Sequence, residues 1–264
     1  MAFEIRDIDE TQAPLLDHLI ELRTRLLRSI VALAVAFGVC LYFSDAILSF
    51  LVQPLIKAGQ NELIYTKLYE AFFVELKVSL FAAFCLAFPV IANQLWAFVA
   101  PGLYAKEKKA FLPFLVATPV LFLSGAALAY YVVMPTAFRW MLGFEGNKGG
   151  IQLKALPATG DYLGLVMQFI LAFGISFLLP VLLLLLNRAG IVSRQQLSGL
   201  RRYVIVAITA VAAIITPPDV VSQLMLLIPM LLLFEGSLIV MWLGERRGAK
   251  EAAVAQPLPS ESQP

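Results

Sequence analysis

Apolar residues gather into six long runs, at about 26–44, 76–97, 110–133, 162–186, 203–216 and 221–243. A helix needs roughly 20 consecutive apolar residues to cross a hydrocarbon core, and several of these runs approach or exceed that length. The fifth, YVIVAITAVAAIITPP, is shorter, with about 14 residues before Pro217–Pro218, and the sixth is interrupted at Pro229. A short hairpin of this kind thins the bilayer locally or leaves part of its depth uncovered. Prolines 89, 119, 135 and 180 fall within or at the ends of runs, and each removes a backbone donor and bends its helix. The pattern predicts an all-α integral membrane protein, six transmembrane helices forming a curved wall with a short fifth/sixth hairpin, in one polytopic domain over 1–245.

The segments between runs carry patterns of their own. Ile47, Leu48, Leu51, Val52 and Leu55 share one helical face, which predicts a surface helix capping the bundle after span one. The 136–160 segment contains Gly143, Gly146, Gly149 and Gly150 and is expected to be irregular. Leu15, Leu19, Leu22 and Leu26 line one face ahead of span one, the pattern of an amphipathic helix at the interface. Residues 246–264, ending EAAVAQPLPSESQP, have the composition of a disordered tail.

Composition strengthens the membrane reading: 60% of the 264 residues are hydrophobic and 14% charged, against roughly 25% charged in soluble domains. The opening MAFEIRDIDETQAPLLD lacks the basic n-region of a cleavable signal, so run one is expected to stay as a span. The net charge of +2 matters less than its distribution. Arg6, Arg23, Arg25, Arg28, Lys106, Lys108, Lys109, Arg188, Arg194, Arg201, Arg202, Arg246, Arg247 and Lys250 fall on the side of the termini, and Lys57, Lys67, Lys77, Arg139, Lys148 and Lys154 on the other. Basic residues concentrate in cytoplasmic loops, so both termini are expected in the cytoplasm.

Enzyme parts are missing from the sequence. There is one histidine, His18; Cys40 and Cys85 lie in apolar runs; no cluster has zinc spacing and no G-x-x-x-x-G-K-[ST] cradles a nucleotide. No catalytic residue, metal, cofactor or nucleic acid is expected. The informative groups are ionisable residues in or beside the spans, which are costly there unless paired or functional. Glu75 and Lys77, at the outer start of span two, read as snorkelling side chains. Glu235 lies inside span six. Asp219 follows the Pro-Pro turn, where a cap on the next helix is the simplest role. Glu21 and Arg25 stand at i,i+4 in the favourable order, and Glu107 complements the dipole at the start of helix three. Even so, Glu21 and Glu107 share one rim in a layer otherwise rich in lysine and arginine. A carboxylate there accepts a guanidinium in a two-point geometry lysine cannot reproduce. From residues alone, two other readings stand beside a cation-binding rim. One is a secondary transporter using Glu235 and Asp219 for protons, which the lack of an internal repeat disfavours. The other is an intramembrane enzyme, for which no nucleophile–base pair is visible.

Four stretches in order, HLIELRTRL (18–26), QLWAFVAPGLYAKEKK (94–109), FGISFLLPVLL (173–183) and TPPDVVSQLMLLIPM (216–230), resemble the TatC family, the core receptor of the twin-arginine protein translocase. The likeness runs from about 11 to 245. It implies a protein of the cytoplasmic (inner) membrane, cupped like a hand, that binds S-R-R-x-F-L-K signal peptides of folded cargo at its cytoplasmic face. It also implies single-span partners of the TatA and TatB kind, self-association within a complex in the lipid bilayer, and transport driven by the proton-motive force. On this resemblance Glu21 and Glu107 contact the paired arginines, and Arg23, Phe98, Pro101, Leu103 and Tyr104 complete the signal-peptide site. Thr216 and Gln223 match partner-helix docking positions, and Pro54, Asp219 and Glu235 match further family positions. Two departures stand out. Leu178 occupies a docking position where the family commonly carries Glu or Gln, which leaves Thr216, Gln223 or Gln168 to make the polar contact. Lys67 replaces an acid found in some members. No role carries over to either residue.

Overall fold

The computed structural model describes residues 9–103, 112–216 and 219–255. Helix α1 (Asp9–Tyr42) leads into α2 (Ser44–Ala58), α3 (Glu70–Leu103), α4 (Leu112–Leu128) and α5 (Met134–Leu142). A two-stranded hairpin, β1 (Gly146–Lys148) and β2 (Ile151–Leu153), precedes α6 (Thr159–Ser176), α7 (Leu179–Arg188), α8 (Arg194–Gly199), α9 (Arg201–Ile215) and α10 (Val220–Ala255). Among the described residues, five stretches are long and apolar enough to cross a membrane: Leu19–Tyr42, Glu70–Phe98, Pro113–Leu142, Thr159–Arg188 and Val220–Arg246. The sixth crossing is α9, whose 15 residues reach roughly 22 Å at 1.5 Å per residue, short of the ~30 Å core. It forms the expected short hairpin with α10.

Several boundaries move. The interfacial helix and span one are a single 34-residue α1, because no glycine or proline interrupts the chain between Pro14 and Gly38. Span three runs past Pro135 to Leu142. The backbone absorbs that proline in a π-helical turn, Ala129–Val133, in which the Met134 N–H reaches back to the Ala129 carbonyl. Span four bends at Phe177–Leu178, ahead of Pro180, into α6 and α7. Pro229, by contrast, lies inside an unbroken α10, which extends to Ala255 through the first part of the expected tail; 256–264 lie outside the described residues. The 136–160 segment is less irregular than its glycines imply. It contains α5 and then a hairpin whose turn residues Gly149 and Gly150 both take positive φ, 63° and 87°, as a two-residue hairpin loop demands.

Helix α6 is the axis of the core. Leu163, Val166, Phe169, Ile170 and Phe173 on it are buried among Val78 of α3, Val133, Met134 and Phe138 of the third span, and Leu226, Met230 and Phe234 of α10. Within a bilayer this association rests on close packing, since lipid is as apolar as the side chains. The α1–α3 contact uses small residues for that reason: Ala36 and Cys40 lie against Ala83 and Ala87.

On the face opposite the termini, two loops are sewn together. Ile64 N–H donates to Pro157 O (3.2 Å) and Thr159 N–H to Ile64 O (2.8 Å). Gln60 Nε2 donates to Ala155 O (2.5 Å), and Lys154 pairs with Glu62 (3.0 Å). The Glu70 carboxylate accepts from Thr66 N–H (2.7 Å), Thr66 Oγ1 (2.9 Å) and Gly160 N–H (2.8 Å), tying the start of α3 to the first turn of α6.

Candidate functional site

The rim on the side of the termini is built by α1 and α3, which run antiparallel because α2 returns the chain along the opposite face. In their shared cluster Ala36 and Cys40 pack with Ala87 and Ala83, and Leu33 and Ile91 lie alongside. The same antiparallel packing puts Glu21, in the first half of α1, and the end of α3 at Leu103 on one side of the molecule. Tyr104 and Glu107 fall outside the described residues, while Pro101 and Leu103 lie in the last turn of α3. Phe98, one turn earlier, is half-buried. Glu21, Arg23 and Phe98 therefore lie toward the same rim of the helix pair.

Glu21 is half-buried and holds Arg25 in a two-point contact: Arg25 Nε and Nη2 lie 2.9 and 2.5 Å from the same Oε1. The i,i+4 pair expected from the sequence exists, and it fixes the orientation of this carboxylate. Arg23 is exposed on the same helix. Behind the rim, Trp96 Nε1 donates to Thr118 Oγ1 (2.8 Å), which donates on to Phe114 O (2.7 Å), fixing α3 against α4. Gln94, a turn before Phe98, has a buried Oε1 with no donor among the described residues. Nothing in the sequence marks it, because a lone glutamine near a span end looks like an ordinary interfacial residue.

The other expected site lies at the α9–α10 turn, at the far end of the molecule. Thr216 is buried and its hydroxyl donates to Ala212 O (2.9 Å). Asp219 Oδ1 accepts from Ser222 N–H (2.7 Å), the N-cap role, while Oδ2 is buried without a donor among the described residues. Gln223 is half-buried. Leu178 is not part of this turn; it sits at the α6–α7 bend against Phe88, Ala92 and Phe122. Gln168 does reach it, donating from Nε2 to Ile215 O (2.6 Å), the residue before Thr216. Gln168 lines an apolar groove of about 640 Å³ between α3 and α6, with Lys77 and Phe84. Glu235 pairs with Arg201 (3.0 Å) and Glu245 with Arg194 (2.7 Å), so both acids tie the α8–α9 segment to α10.

Pro54 acquires a definite partner. Lacking N–H, it leaves the Phe50 carbonyl, four residues earlier, without its helical donor. Tyr130 supplies one: its hydroxyl donates to Phe50 O (2.6 Å) while its ring stacks on Phe50 at 4.3 Å. Tyr162 donates likewise to Leu51 O (2.9 Å). These bonds fasten the capping helix to spans three and four. Neither tyrosine carries a local motif, although a Tyr within an apolar run signals a hydroxyl in need of a partner. Tyr130→Phe is expected to cost about 1–3 kcal/mol by orphaning that carbonyl. In a Pro54→Ala background the restored backbone N–H at position 54 satisfies the same carbonyl, and the cost of Tyr130→Phe should largely vanish. Thermal unfolding of the four proteins in detergent measures this coupling; equal costs in both backgrounds would break the link between Pro54 and Tyr130.

Comparison with known proteins places this geometry. Residues 17–229 match the family described as Sec-independent protein translocase protein (TatC). The TatC protein of Magnetococcus marinus is 49% identical over 249 residues, covering 94% of this chain and 90% of that one. The TatC protein of Escherichia coli K12 is 41% identical over 230 residues, covering 86% and 87%. A crystal structure of the twin-arginine translocase receptor TatC in DDM superposes with a TM-score of 0.74 at 38% identity, covering 85% of this chain and 99% of that one. The chain belongs to the TatC family: it is a six-span, cupped membrane protein and a component of a protein translocase, not an enzyme.

Proposed function

We propose that this chain is the receptor subunit of its translocase, binding the paired arginines of signal peptides on folded cargo at the rim formed by α1 and the end of α3. The termini and this rim face the cytoplasm, as the lysine and arginine distribution favours, and the membrane is the bacterial inner membrane. What supports the reading is the antiparallel packing of α1 on α3, which puts Glu21 and the end of α3 on the same side of the membrane. Two carboxylates in that arrangement receive one guanidinium each, and Arg25 shows at Glu21 the two-point geometry that an incoming arginine would take over. Arg23 lies on the same rim. Phe98, Pro101, Leu103 and Tyr104 offer the apolar surface for residues beside the arginine pair.

Single-span partners of the TatA and TatB kind dock at the α9–α10 hairpin, energised by the proton-motive force. Thr216 is already satisfied internally, and position 178 is apolar. The polar contacts to a partner helix are therefore assigned to Gln223 and Gln168. The assembly contains more than one copy of this chain.

The test is binding of the whole protein, in nanodiscs, to a signal peptide carrying Arg-Arg and to the same peptide with Lys-Lys. Lysine keeps the charge but loses the fork, so the reading expects the Arg-Arg peptide to bind at least tenfold more tightly. Equal affinities would remove the carboxylate rim as the reader of the arginine pair.

A further inference from the structure

A second site lies on the opposite face, away from the rim and independent of the receptor reading. The π-helical turn at Ala129–Val133 points two adjacent tyrosines to different tasks. Tyr130 is bound to α2. Tyr131 is exposed, with its ring 4.8 Å from that of Tyr130. The Lys57 ammonium lies 5.9 Å from the Tyr131 ring centre, and Arg139 Nη2 lies 3.3 Å from the Lys57 carbonyl. The last turns of α2 and α5 thus bring two exposed cationic residues side by side, with Lys57 over the Tyr131 ring and Arg139 at the Lys57 carbonyl. Neither joins an ion pair among the described residues. The carboxylates Glu62, Glu70 and Glu145 on this face are engaged with Lys154, with the Thr66, Lys67 and Gly160 N–H groups, and with the Ala155 N–H, respectively.

The same Tyr131 forms the lip of an apolar crevice of about 310 Å³, which descends between α2, α3 and α4 past Phe50, Ala126 and Ala127 to Phe122 and Cys85. From Pro113 to Tyr131 the third span covers roughly 27 Å, so Tyr131 stands near the membrane surface and the crevice runs inward from there. Phe50, Leu123 and Tyr131 are exposed along its edge, where the surroundings are lipid.

We propose that this crevice and its two cations bind one anionic phospholipid. The phosphodiester lies between Lys57 and Arg139, and one acyl chain enters the crevice beside Ala127. Charge complementarity selects the headgroup, because two cations without an acidic partner at a membrane surface attract anionic lipid. Size selects the chain: the crevice lies at the bottom of the range for ligand pockets, too small for a helix and unused by a soluble anion. The lipid would sit where α2, held by the Pro54–Tyr130 contact, meets the third span.

Native mass spectrometry of the whole purified protein tests the proposal, with phosphatidylglycerol and phosphatidylcholine of identical chains as probes. The wild-type protein is expected to retain one phosphatidylglycerol at least tenfold more strongly than phosphatidylcholine. Lys57→Gln with Arg139→Gln should erase that preference, and Lys57→Arg with Arg139→Lys should keep it. Ala127→Trp, filling the crevice from an exposed position, should reduce retention of both lipids while leaving the cations in place. Equal retention of the two lipids by the wild-type protein would overturn the proposal, as would a preference that survives the double Gln variant. Displacement of phosphatidylglycerol by glycerophosphate alone would overturn it too, reducing the site to a simple anion patch.

Discussion

Glu107→Lys is expected to abolish binding of an Arg-Arg signal peptide to the inserted protein, and Glu21→Lys to weaken it by a smaller factor. At a protein surface two unit charges 4 Å apart interact by about 4 kcal/mol before salt screening. A reversal turns that attraction into repulsion, and it does so beside Lys106, Lys108 and Lys109. Arg23, Arg25 and Arg28 add further cations on α1; a lysine at 107 has no acid within five residues of it, whereas one at 21 has Asp17 four residues before it on the same helix. The effect at Glu21 is smaller because its carboxylate already serves Arg25. The peptide there exchanges one guanidinium for another and gains only the difference. Replacing either acid with Gln keeps the shape and one acceptor but removes the charge, a loss of roughly 1.5–3 kcal/mol, the range for hydrogen bonds to charged groups. Fluorescence anisotropy of a labelled peptide on nanodisc-held protein reads the affinities, with protease protection confirming insertion. Undiminished binding by Glu107→Lys would take that residue out of the site.

Gly125→Ala should strip the protein of stability by about 3 kcal/mol or more, the upper end of overpacking costs. The crossing of α4 over α6 is the reason. A Cβ at 125 would stand 2.4 Å from the Phe173 carbonyl oxygen and 2.8 Å from the Phe177 ring. The first is backbone and cannot swing away. The crossing is reciprocal, since a Cβ on Gly174 would lie 2.6 Å from the Phe122 ring. That ring is fully buried and stacked on Phe88 at 3.8 Å, so it too has nowhere to turn. Gly38 provides the control: nothing lies within 4 Å of its would-be Cβ, and Gly38→Ala should be neutral or stabilising by up to about 1 kcal/mol through helix propensity. The midpoint of thermal unfolding in detergent separates the two. If Gly125→Ala unfolds with the wild type, α4 and α6 do not cross as closely as described.

These glycines also divide what was legible in the sequence from what was not. In GAALAY and FGIS the letters announce a helix and nothing more, because the distance between two helices is absent from either helix's own pattern. The spans themselves were readable, since crossing a hydrocarbon layer is a demand on length and apolarity that each segment meets alone. The capping helix over Ile47–Leu55 and the short α9 were readable for the same reason, one from a 3.6-residue period and the other from the proline pair that stops it. Glu21 with Arg25 was readable because i,i+4 contacts are local.

Contacts between distant parts of the chain were decided elsewhere. A missing N–H at Pro54 is plain in the sequence, but the donor that answers it comes from Tyr130, on another span. Glu235 looks like an isolated intramembrane acid until Arg201, on the neighbouring helix, is found beside it. Pro135 and Pro229 look alike as helix breakers, and the third span resolves one through a π-turn while α10 carries the other unbroken. By itself the sequence determined which segments are helical, which cross the membrane, and which acids lie near its edge, because each depends on the residue and its immediate neighbours. The tertiary structure alone decided which carbonyl each tyrosine reaches, which helices touch closely enough to require glycine, and which cations come together where α2 and α5 end. Those depend on how rigid helices pack, and small side chains permit more than one packing until the whole bundle is in place.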